Sequence, residues 1–337
     1  MSDKVTSSKE QNTDKNLDLN LRPKNIKDYM GQEQIKANLD IVLRAAKGRG
    51  EPLDHTLFFG PPGLGKTTLA HIISKEMGVG IKITSGPTIT KAGDLAAIIT
   101  NLQEGDILFI DEMHRLNKTI EEILYPAMED FALDIILGKG PSAQVLRLDL
   151  PKFTLIGATT RYNLISSPLR DRFGITFRLD FYKDNELEDI IKRSADILSI
   201  KINKEAQREI AIRSRATPRI ANRMLKRIRD YAQVKGVKEV NLKVVNEALD
   251  LMNIDQYGLD EMDRKLLLII TDNFSGGPVG LNTLAATLQE EAGTIEEIFE
   301  PYLMQLGLLN RTAKGRIATE KTYKYLGLDI PENNKLF

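Results

Sequence analysis

A glycine-rich stretch that ends in a lysine and a threonine carries the most specific chemical signal in the sequence. Residues 60–67, Gly-Pro-Pro-Gly-Leu-Gly-Lys-Thr, match G-x-x-x-x-G-K-[ST] and lie between an apolar run and a helical pattern over 68–77. Glycines let backbone N–H groups surround phosphate oxygens, and the N-terminus of the next helix favours negative charge. Lys66 is expected to reach the terminal phosphates, and the Thr67 hydroxyl to ligate Mg²⁺ directly. The predicted nucleotide contacts in this phosphate loop are Gly63, Gly65, Lys66, Thr67 and Thr68.

Two adjacent carboxylates follow a second apolar run, at residues 107–110. They are Asp111 and Glu112. Burying carboxylates without a partner is costly, and Mg²⁺ would be the partner of Asp111 through its water shell. Glu112 is then placed to polarise an attacking water as a general base. As an alternative, Asp111 taken alone could be an ordinary helix N-cap at the end of a strand.

The composition excludes several classes of protein. With 337 residues, of which 42% are hydrophobic and 28% charged, the chain is globular and long enough for about two domains. It has no cysteine, which excludes disulfides, thiol catalysis and thiolate metal sites, and its three histidines leave little for a metal cage. Basic and acidic residues balance at 47 each, so no net field attracts a charged partner. No apolar run approaches the roughly 18 residues that span a bilayer, and the polar start lacks a signal core, so we expect a cytoplasmic protein without membrane contact.

Short apolar runs alternate with helical patterns between residues 53 and 182. The runs are 56–59, 81–84, 107–111, 153–157 and 175–179. Such alternation predicts βαβ units and a mostly parallel sheet that is buried on both faces. The residues 111–114, Asp-Glu-Met-His, would also suit a two-lobed DExH helicase. Such a helicase needs two strand-rich lobes, and here the strand signal fills only one, so the length of the chain argues against that class.

The rest of the chain divides into a polar arm and two further regions. Residues 1–20 have the composition of a disordered arm. Amphipathic patterns over 185–253 predict a small all-helical domain. Two helices, at 263–273 and 283–289, a third opened by a capping box at Thr294, and a hairpin are the outline of a winged helix. The predicted domains are therefore 21–182, 183–255 and 256–337.

A dense basic stretch lies inside the predicted helical domain. Residues 213–238 contain one acidic residue, Asp230, and nine basic ones: Arg213, Arg215, Arg219, Arg223, Lys226, Arg227, Arg229, Lys235 and Lys238. Two interpretations remain open at this stage, a solvated helix face and a surface that binds phosphate groups.

These motifs occur in an order that resembles AAA+ ATPases. The segments that carry the resemblance are 21–23, 29–32, the phosphate loop, 111–115, 157–161, 172–174 and 217–219. Together they resemble the RuvB family, motors of Holliday-junction branch migration, over about 21–328. The resemblance implies an α/β protein with an AAA+ P-loop core and parallel sheet, a small all-helical lid and a C-terminal winged helix. It implies an ATP hydrolase coupled to DNA translocation in recombination and repair.

The same resemblance implies further residues at the ATP site. Thr160 would be the sensor near the γ-phosphate, and Arg219 the second sensor, in the lid. Arg172 matches the arginine finger that enters a neighbouring subunit, and we prefer it to Arg170 because it directly precedes Phe173-Gly174; such fingers are worth about 10³ to 10⁵ in rate. A finger that acts in trans needs a neighbour, so a homo-hexamer is expected. Leu21, Arg22 and Tyr182 would surround the adenine and ribose, and Glu129, Asp130 and Phe131 would approach the nucleotide across a subunit boundary.

Partners follow partly from the pattern and partly from the resemblance. Residues 131–150 contain two alternating runs and predict a hairpin; the resemblance implies that it binds RuvA, whereas composition alone favours its folding back onto its own domain. The RuvC resolvase is a further implied partner.

The predicted wing carries Arg311, Lys314 and Arg316, and acids crowd the third helix at Glu296, Glu297 and Glu300. Acids oppose base readout, so duplex DNA and four-way junctions would be bound through phosphates, independently of sequence. Three phosphate contacts give a salt slope of about −2.7 in log K against log[salt], so useful grip would require several subunits. Two other functions remain open: a DNA-binding switch controlled by a nucleotide, which would need a base-reading helix, and a clamp-loader-like ATPase that remodels a protein.

Overall fold

The computed structural model describes residues 20–137 and 144–330, and the chain forms two compact units. The core unit is residues 22–180. The helical unit comprises residues from 181 onward together with Leu21. Across these two described stretches, no helix is long and apolar enough to cross a membrane.

The core unit is built on a five-stranded parallel sheet, as the alternating pattern predicts. In chain order the strands are β1 (Thr56–Phe59), β2 (Ile81–Ser85), β3 (Ile107–Asp111), β6 (Thr154–Thr159) and β7 (Ile175–Arg178). Their order in the sheet is β2-β3-β6-β1-β7. The central strands are almost wholly buried, which matches their continuous apolar sequences.

Five helices connect and cover these strands. They are α1 (Glu33–Arg49), α2 (Lys66–Met77), α3 (Ala92–Ile99), α4 (Lys118–Glu129) and α5 (Ser167–Arg170). Because β1, β3 and β6 are neighbouring parallel strands, the segments that follow them meet at the carboxyl edge of the sheet. This edge therefore brings together the phosphate loop, the two carboxylates and Thr160.

The predicted hairpin is present and does not join the main sheet. Its strands are β4 (Ala132–Leu137) and β5 (Gln144–Asp149), paired antiparallel. Leu133 and Leu150 are buried in the core unit, so the base of the hairpin folds onto its own domain. Leu146, farther along, is 45% exposed. The predicted link at 138–142 lies outside the described residues.

The helical unit begins with four helices, which confirms the helical pattern over 185–253. They are α6 (Asp184–Ile197), α7 (Lys204–Arg213), α8 (Pro218–Val234) and α9 (Leu242–Leu251). Asparagines cap two of them: the side chains of Asn203 and Asn241 accept hydrogen bonds from the backbone N–H groups of Ala206 and Val244.

A winged helix completes the helical unit. Its elements are α10 (Glu261–Leu268), which continues as a π-helical turn (Ile269–Asn273), α11 (Leu281–Leu288), α12 (Ala292–Thr294), a second π-helical turn (Ile295–Phe299), α13 (Glu300–Gln305), β8 (Leu309–Thr312), β9 (Gly315–Ala318) and α14 (Glu320–Leu326). Residues 292–305 run without interruption and are called the third helix below. The predicted capping box at Thr294 is wrong: the N-cap is Glu291, and Thr294 already has helical dihedrals.

Four of the nine basic residues in the dense stretch are buried, which neither open interpretation of that stretch allows for. They are Arg213, Arg215, Arg223 and Lys226. The Arg215 guanidinium pairs with Asp263 at the start of the winged helix and donates to the carbonyl of Gly258, 2.9 Å away. Arg213 pairs with Glu209 and donates to Asn246. Arg215 therefore links the lid to the winged helix, whereas Arg213 is bound within the lid.

Candidate nucleotide site and wing

The phosphate loop folds closely around the lysine. Lys66 is buried, and its Nζ donates to the carbonyl oxygens of Gly60 and Pro61 at 2.7 and 2.8 Å. Gly65 has a φ of +99°, and a Cβ there would lie 2.8 Å from the hydroxyl of Tyr29. Only glycine fits this position. Because the N-cap of α2 is this glycine, no capping side chain competes for the first N–H groups of the helix, which suits an anion.

The two carboxylates lie where β3 ends. Asp111 Oδ1 accepts the backbone N–H of Glu112 at 2.8 Å, which holds one carboxylate oxygen against the backbone. Glu112 has a φ of +47°, which turns the chain sharply out of the strand. Its carboxylate is half exposed and pairs with Arg115 at 2.9 Å. An exposed, loosely held carboxylate can move to a substrate water, as a general base must.

Thr160 directly follows β6 at the same edge. Its Oγ1 is shielded from solvent and has no hydrogen-bond partner within 20–137 and 144–330. An enclosed hydroxyl without a protein partner suits a site that a phosphate oxygen or a water completes. These residues fit a nucleotide and its Mg²⁺. The described part of the chain holds no group of three or more His, Asp or Glu side chains that could bind a metal alone, so any Mg²⁺ site must take further ligands from the phosphates and water.

Arg172 is held by three groups of its own chain. Its Cζ lies 4.3 Å from the ring centroid of Tyr125, its Nη1 donates to the carbonyl of Pro168 at 2.7 Å, and Glu129 pairs with its Nε at 3.2 Å. Tyr125 and Glu129 are one turn apart on α4, so the ring and the carboxylate face the guanidinium together. Arg170 instead stacks on another ring, that of Tyr162.

The residues after Glu129 have different surroundings. Asp130 is exposed and pairs with Arg147 of the hairpin at 2.9 Å. The ring of Phe131 packs against His55 and Phe153 of its own domain, with centroids 6.2 and 6.0 Å apart. The ring of Phe131 therefore packs within its own domain, and its approach to a neighbouring subunit's nucleotide stays a prediction.

The remaining predicted nucleotide contacts lie in both units. Leu21 is buried, and its carbonyl accepts from Arg193 at 2.8 Å in the helical unit. Tyr182, also buried, donates its backbone N–H to Ala216 at 3.0 Å. Arg219 is the second residue of α8. Arg22 belongs to the core unit. The pKa of His71 in that unit is lowered mainly by burial and, to a smaller extent, by the positive charges of Arg22 and Lys75. Their role at a nucleotide stays a prediction.

One of the three predicted DNA contacts on the wing is paired inside the protein. Arg316 is buried, and its Nε and Nη2 donate to the two carboxylate oxygens of Glu300 at 2.6 and 3.1 Å. The backbone of Arg316 also pairs with Val279 on one side and Arg311 on the other. In this arrangement the guanidinium is occupied by Glu300 and shielded from solvent, so a phosphate contact by Arg316 would require this pair to open.

The acids of the third helix face the wing. Arg311 and Arg316 are directly opposite on β8 and β9, and Glu296 and Glu300 lie four residues apart on the third helix. Glu296 pairs with the half-exposed Arg311 at 2.8 Å, just as Glu300 pairs with Arg316. Lys314, at the turn of the hairpin, is exposed. The acids therefore fasten the wing to the helix.

Sequence reasoning missed three side chains that shape the site. The Tyr29 hydroxyl donates to Leu64 of the phosphate loop at 3.2 Å, and Tyr125 lies under Arg172. His114 contacts Thr159 at the end of β6. The position of Tyr125 one turn before Glu129 was a visible signal, but its partner comes from a distant segment.

Comparisons with known proteins agree over most of the chain. Residues 21–179 match a model of the Holliday junction DNA helicase RuvB P-loop domain, residues 182–255 the RuvB AAA lid domain, and residues 256–327 the RuvB C-terminal winged helix domain. The Holliday junction branch migration complex subunit RuvB of Chloroflexus aggregans is 58% identical over 321 residues, which are 95% of this chain and 92% of that protein.

Solved structures give the same result. The Thermotoga maritima RuvB Holliday junction branch migration motor has a TM-score of 0.86 and 53% identity, and the match covers 93% of this chain and all of that one. A mutant of the same Thermotoga protein has a TM-score of 0.87 at 53% identity, with 92% and 99% covered.

Proposed function

This chain belongs to the RuvB family of Holliday junction branch migration motors, and from that premise we propose that it hydrolyses ATP with Mg²⁺ at a seam between two copies of itself. The observation that carries the proposal is the meeting of three features at one edge of the sheet. They are the phosphate loop around Lys66, the carboxylates of Asp111 and Glu112, and the enclosed hydroxyl of Thr160.

Each residue has a separate task in this reaction. Lys66 binds the terminal phosphates, with backbone N–H groups from Gly63, Gly65 and Thr68 around them. Thr67 would hold Mg²⁺ directly and Asp111 would hold it through water, and the ion would neutralise charge on the phosphates. Glu112 accepts a proton from the attacking water, and Thr160 orients that water beside the γ-phosphate.

The seam is completed by residues of the neighbouring copy. Arg172 supplies a guanidinium that stabilises charge on the transferring phosphoryl group, and Glu129 and Asp130 approach from the same side. The support is that Arg172 and Glu129 are held next to each other, partly exposed, with the finger fixed on the ring of Tyr125. A rigid finger loses little conformational freedom on entering the next site. Leu21, Arg22, Tyr182 and Arg219 contact the nucleotide from its adenine side and from the lid.

The closed ring, taken as a homo-hexamer, moves duplex DNA and four-way junctions without reading sequence. Arg311 and Lys314 contact phosphates from the wing, and two such contacts give a salt slope of about −1.8 per subunit. RuvA binds the hairpin at residues 131–150, where Leu146 of β5 is exposed, and RuvC is a further partner. A cytoplasmic location belongs to the same proposal.

A test in trans separates this proposal from hydrolysis within one chain. The variants Lys66→Ala and Arg172→Ala should each lose ATP hydrolysis, the first by losing nucleotide affinity and the second without that loss. Mixed subunits should regain activity, because an intact phosphate loop then meets an intact finger. Lys75→Ala, an exposed lysine on the same helix, is the matched control. A mixture that remains inactive would refute the seam.

Branch migration itself is measured on a synthetic four-way junction with the cognate RuvA. ATP-dependent dissociation of the junction should occur with wild-type protein and not with Lys66→Ala. A sequence-reading regulator is disfavoured, because Glu296 and Glu300 of the third helix pair with wing arginines. A footprint confined to one preferred sequence would favour the regulator instead.

A further inference from the structure

A histidine beyond the two carboxylates contacts the end of the neighbouring strand. His114 lies in the single turn Met113–Arg115, which follows Glu112. Its Nδ1 is 3.0 Å from Oγ1 of Thr159. Thr159 is the last residue of β6 and is 0% exposed. The contact joins the segment that carries Glu112 to the segment that carries Thr160.

The same hydroxyl also shapes the turn after β6. Oγ1 of Thr159 accepts the backbone N–H of Arg161, two residues later, at 3.0 Å. Side-chain bonds of this kind fix the backbone of the residue between them, which here is Thr160. The hydroxyl keeps one proton to donate, and Nδ1 of His114 is placed to accept it.

Packing interlocks the two segments at a second point. Met113 is fully buried, and a Cβ on Gly157 of β6 would lie 2.6 Å from its sulfur. Little space remains for the turn after Glu112 to shift along β6. The His114–Thr159 contact, in contrast, depends on polar atoms that a substitution can remove without changing volume much.

We propose that Thr159 and His114 are positioning residues for ATP hydrolysis, which together set the position of Thr160 relative to Glu112. The inference rests on the proposed roles of Glu112 and Thr160 and adds the pair that holds them in register. Neither side chain needs to touch the nucleotide. Their loss should therefore lower kcat and leave the binding of ATP by the phosphate loop intact.

The experiment measures steady-state ATP hydrolysis by the full-length protein on duplex DNA, together with nucleotide affinity. Thr159→Val and His114→Leu should each lower kcat by about 10- to 100-fold, as expected when reacting groups are misplaced by up to 1 Å. Thr159→Ser keeps a hydroxyl, and His114→Asn keeps a polar atom near the position of Nδ1. Both variants should therefore have most of the wild-type rate. The double variant should be no slower than the slower single one, because both changes break one contact.

Thr160→Val is the reference that separates this inference from the proposed function. If Thr160→Val hydrolyses ATP at the wild-type rate, the sensor assignment fails and the inference fails with it. If Thr160→Val is inactive while Thr159→Val and His114→Leu are fully active, the inference alone is overturned. Losses that multiply in the double variant, or that Ser and Asn do not rescue, also overturn it. His114 is partly exposed, so its variants serve if Thr159→Val does not fold.

Discussion

Replacing Arg316 by alanine should destabilise the winged helix by about 3 to 5 kcal/mol, because a buried carboxylate loses its only compensating charge among the contacts described above. The side chains of Arg316 and Glu300 are 8% and 2% exposed, and two parallel N–H···O bonds join them. Each hydrogen bond to a charged group is worth about 1.5 to 3 kcal/mol, so two of them agree with that range.

Hydrogen exchange of the full-length protein is the suitable assay, because a chain of several domains has no single free energy of unfolding. Amides of β9 and α13 should exchange faster in Arg316→Ala, and the increase should correspond to a loss of about 3 to 5 kcal/mol in the free energy of opening. The double variant Arg316→Met with Glu300→Leu should recover most of the protection, since well-packed apolar side chains replace both charges. Its DNA affinity and salt slope should equal those of the wild type.

The opposite result would refute the reasoning. If Arg316→Ala keeps the protection of β9 and the salt slope of DNA binding falls by about 0.9, Arg316 is a phosphate contact and the buried pair is unimportant.

Three further outcomes are expected. Lys314→Ala, at the exposed turn of the wing, should reduce the magnitude of the salt slope per subunit by about 0.9 without changing stability, measured by DNA binding from low to moderate salt; an unchanged slope would remove Lys314 from the DNA surface. Tyr125→Leu should lower ATP hydrolysis by the assembled protein because Arg172 loses the ring beneath it, whereas Tyr125→Phe should keep the rate; equal rates in both would show that the ring is unimportant. Burial raises the pKa of Asp263 to about 7 although the charge of Arg215 opposes the rise, so the carboxyl binds a proton more tightly in the folded chain than in the unfolded one, where its pKa is about 3.9. Its contribution to stability is complete below pH 4 and lost as the pH rises through 7. Hydrogen exchange in the helical unit should therefore report about 2 kcal/mol less stability at pH 8 than at pH 5.5, and Asp263→Asn should lack this dependence; the same dependence in the Asn variant would assign it to another group.

The central strands and the nucleotide motifs could be read from sequence because their signals are local. The runs that became β1 and β3 have the predicted bounds, since consecutive apolar residues fit a strand buried on both faces. The glycines of the phosphate loop likewise indicate a backbone that other residues cannot adopt. At Gly65, for example, a Cβ would clash with the hydroxyl of Tyr29. The start of the third helix could not be placed in the same way, because Thr294 and Glu297 have capping-box spacing although the N-cap is Glu291.

The sequence did not reveal whether an individual charged side chain is exposed or buried in a pair. Arg311, Lys314 and Arg316 have the same character in the sequence, yet only the first two reach solvent. The difference comes from Glu300, which the third helix places beneath β9.

The sequence by itself determined that this chain binds a nucleotide in a parallel α/β core and continues into a helical lid and a winged helix, because glycine conformations, strand periodicity and motif order are properties of neighbouring residues. Only the tertiary structure decided which charged side chains are free to meet a partner and which are neutralised inside the protein. Arg215 with Asp263, and Arg172 with Tyr125, are pairs whose members lie 47 or more residues apart. Whether a charge is solvated or paired depends on the groups that the fold brings within a few ångströms, and those groups are absent from its local sequence.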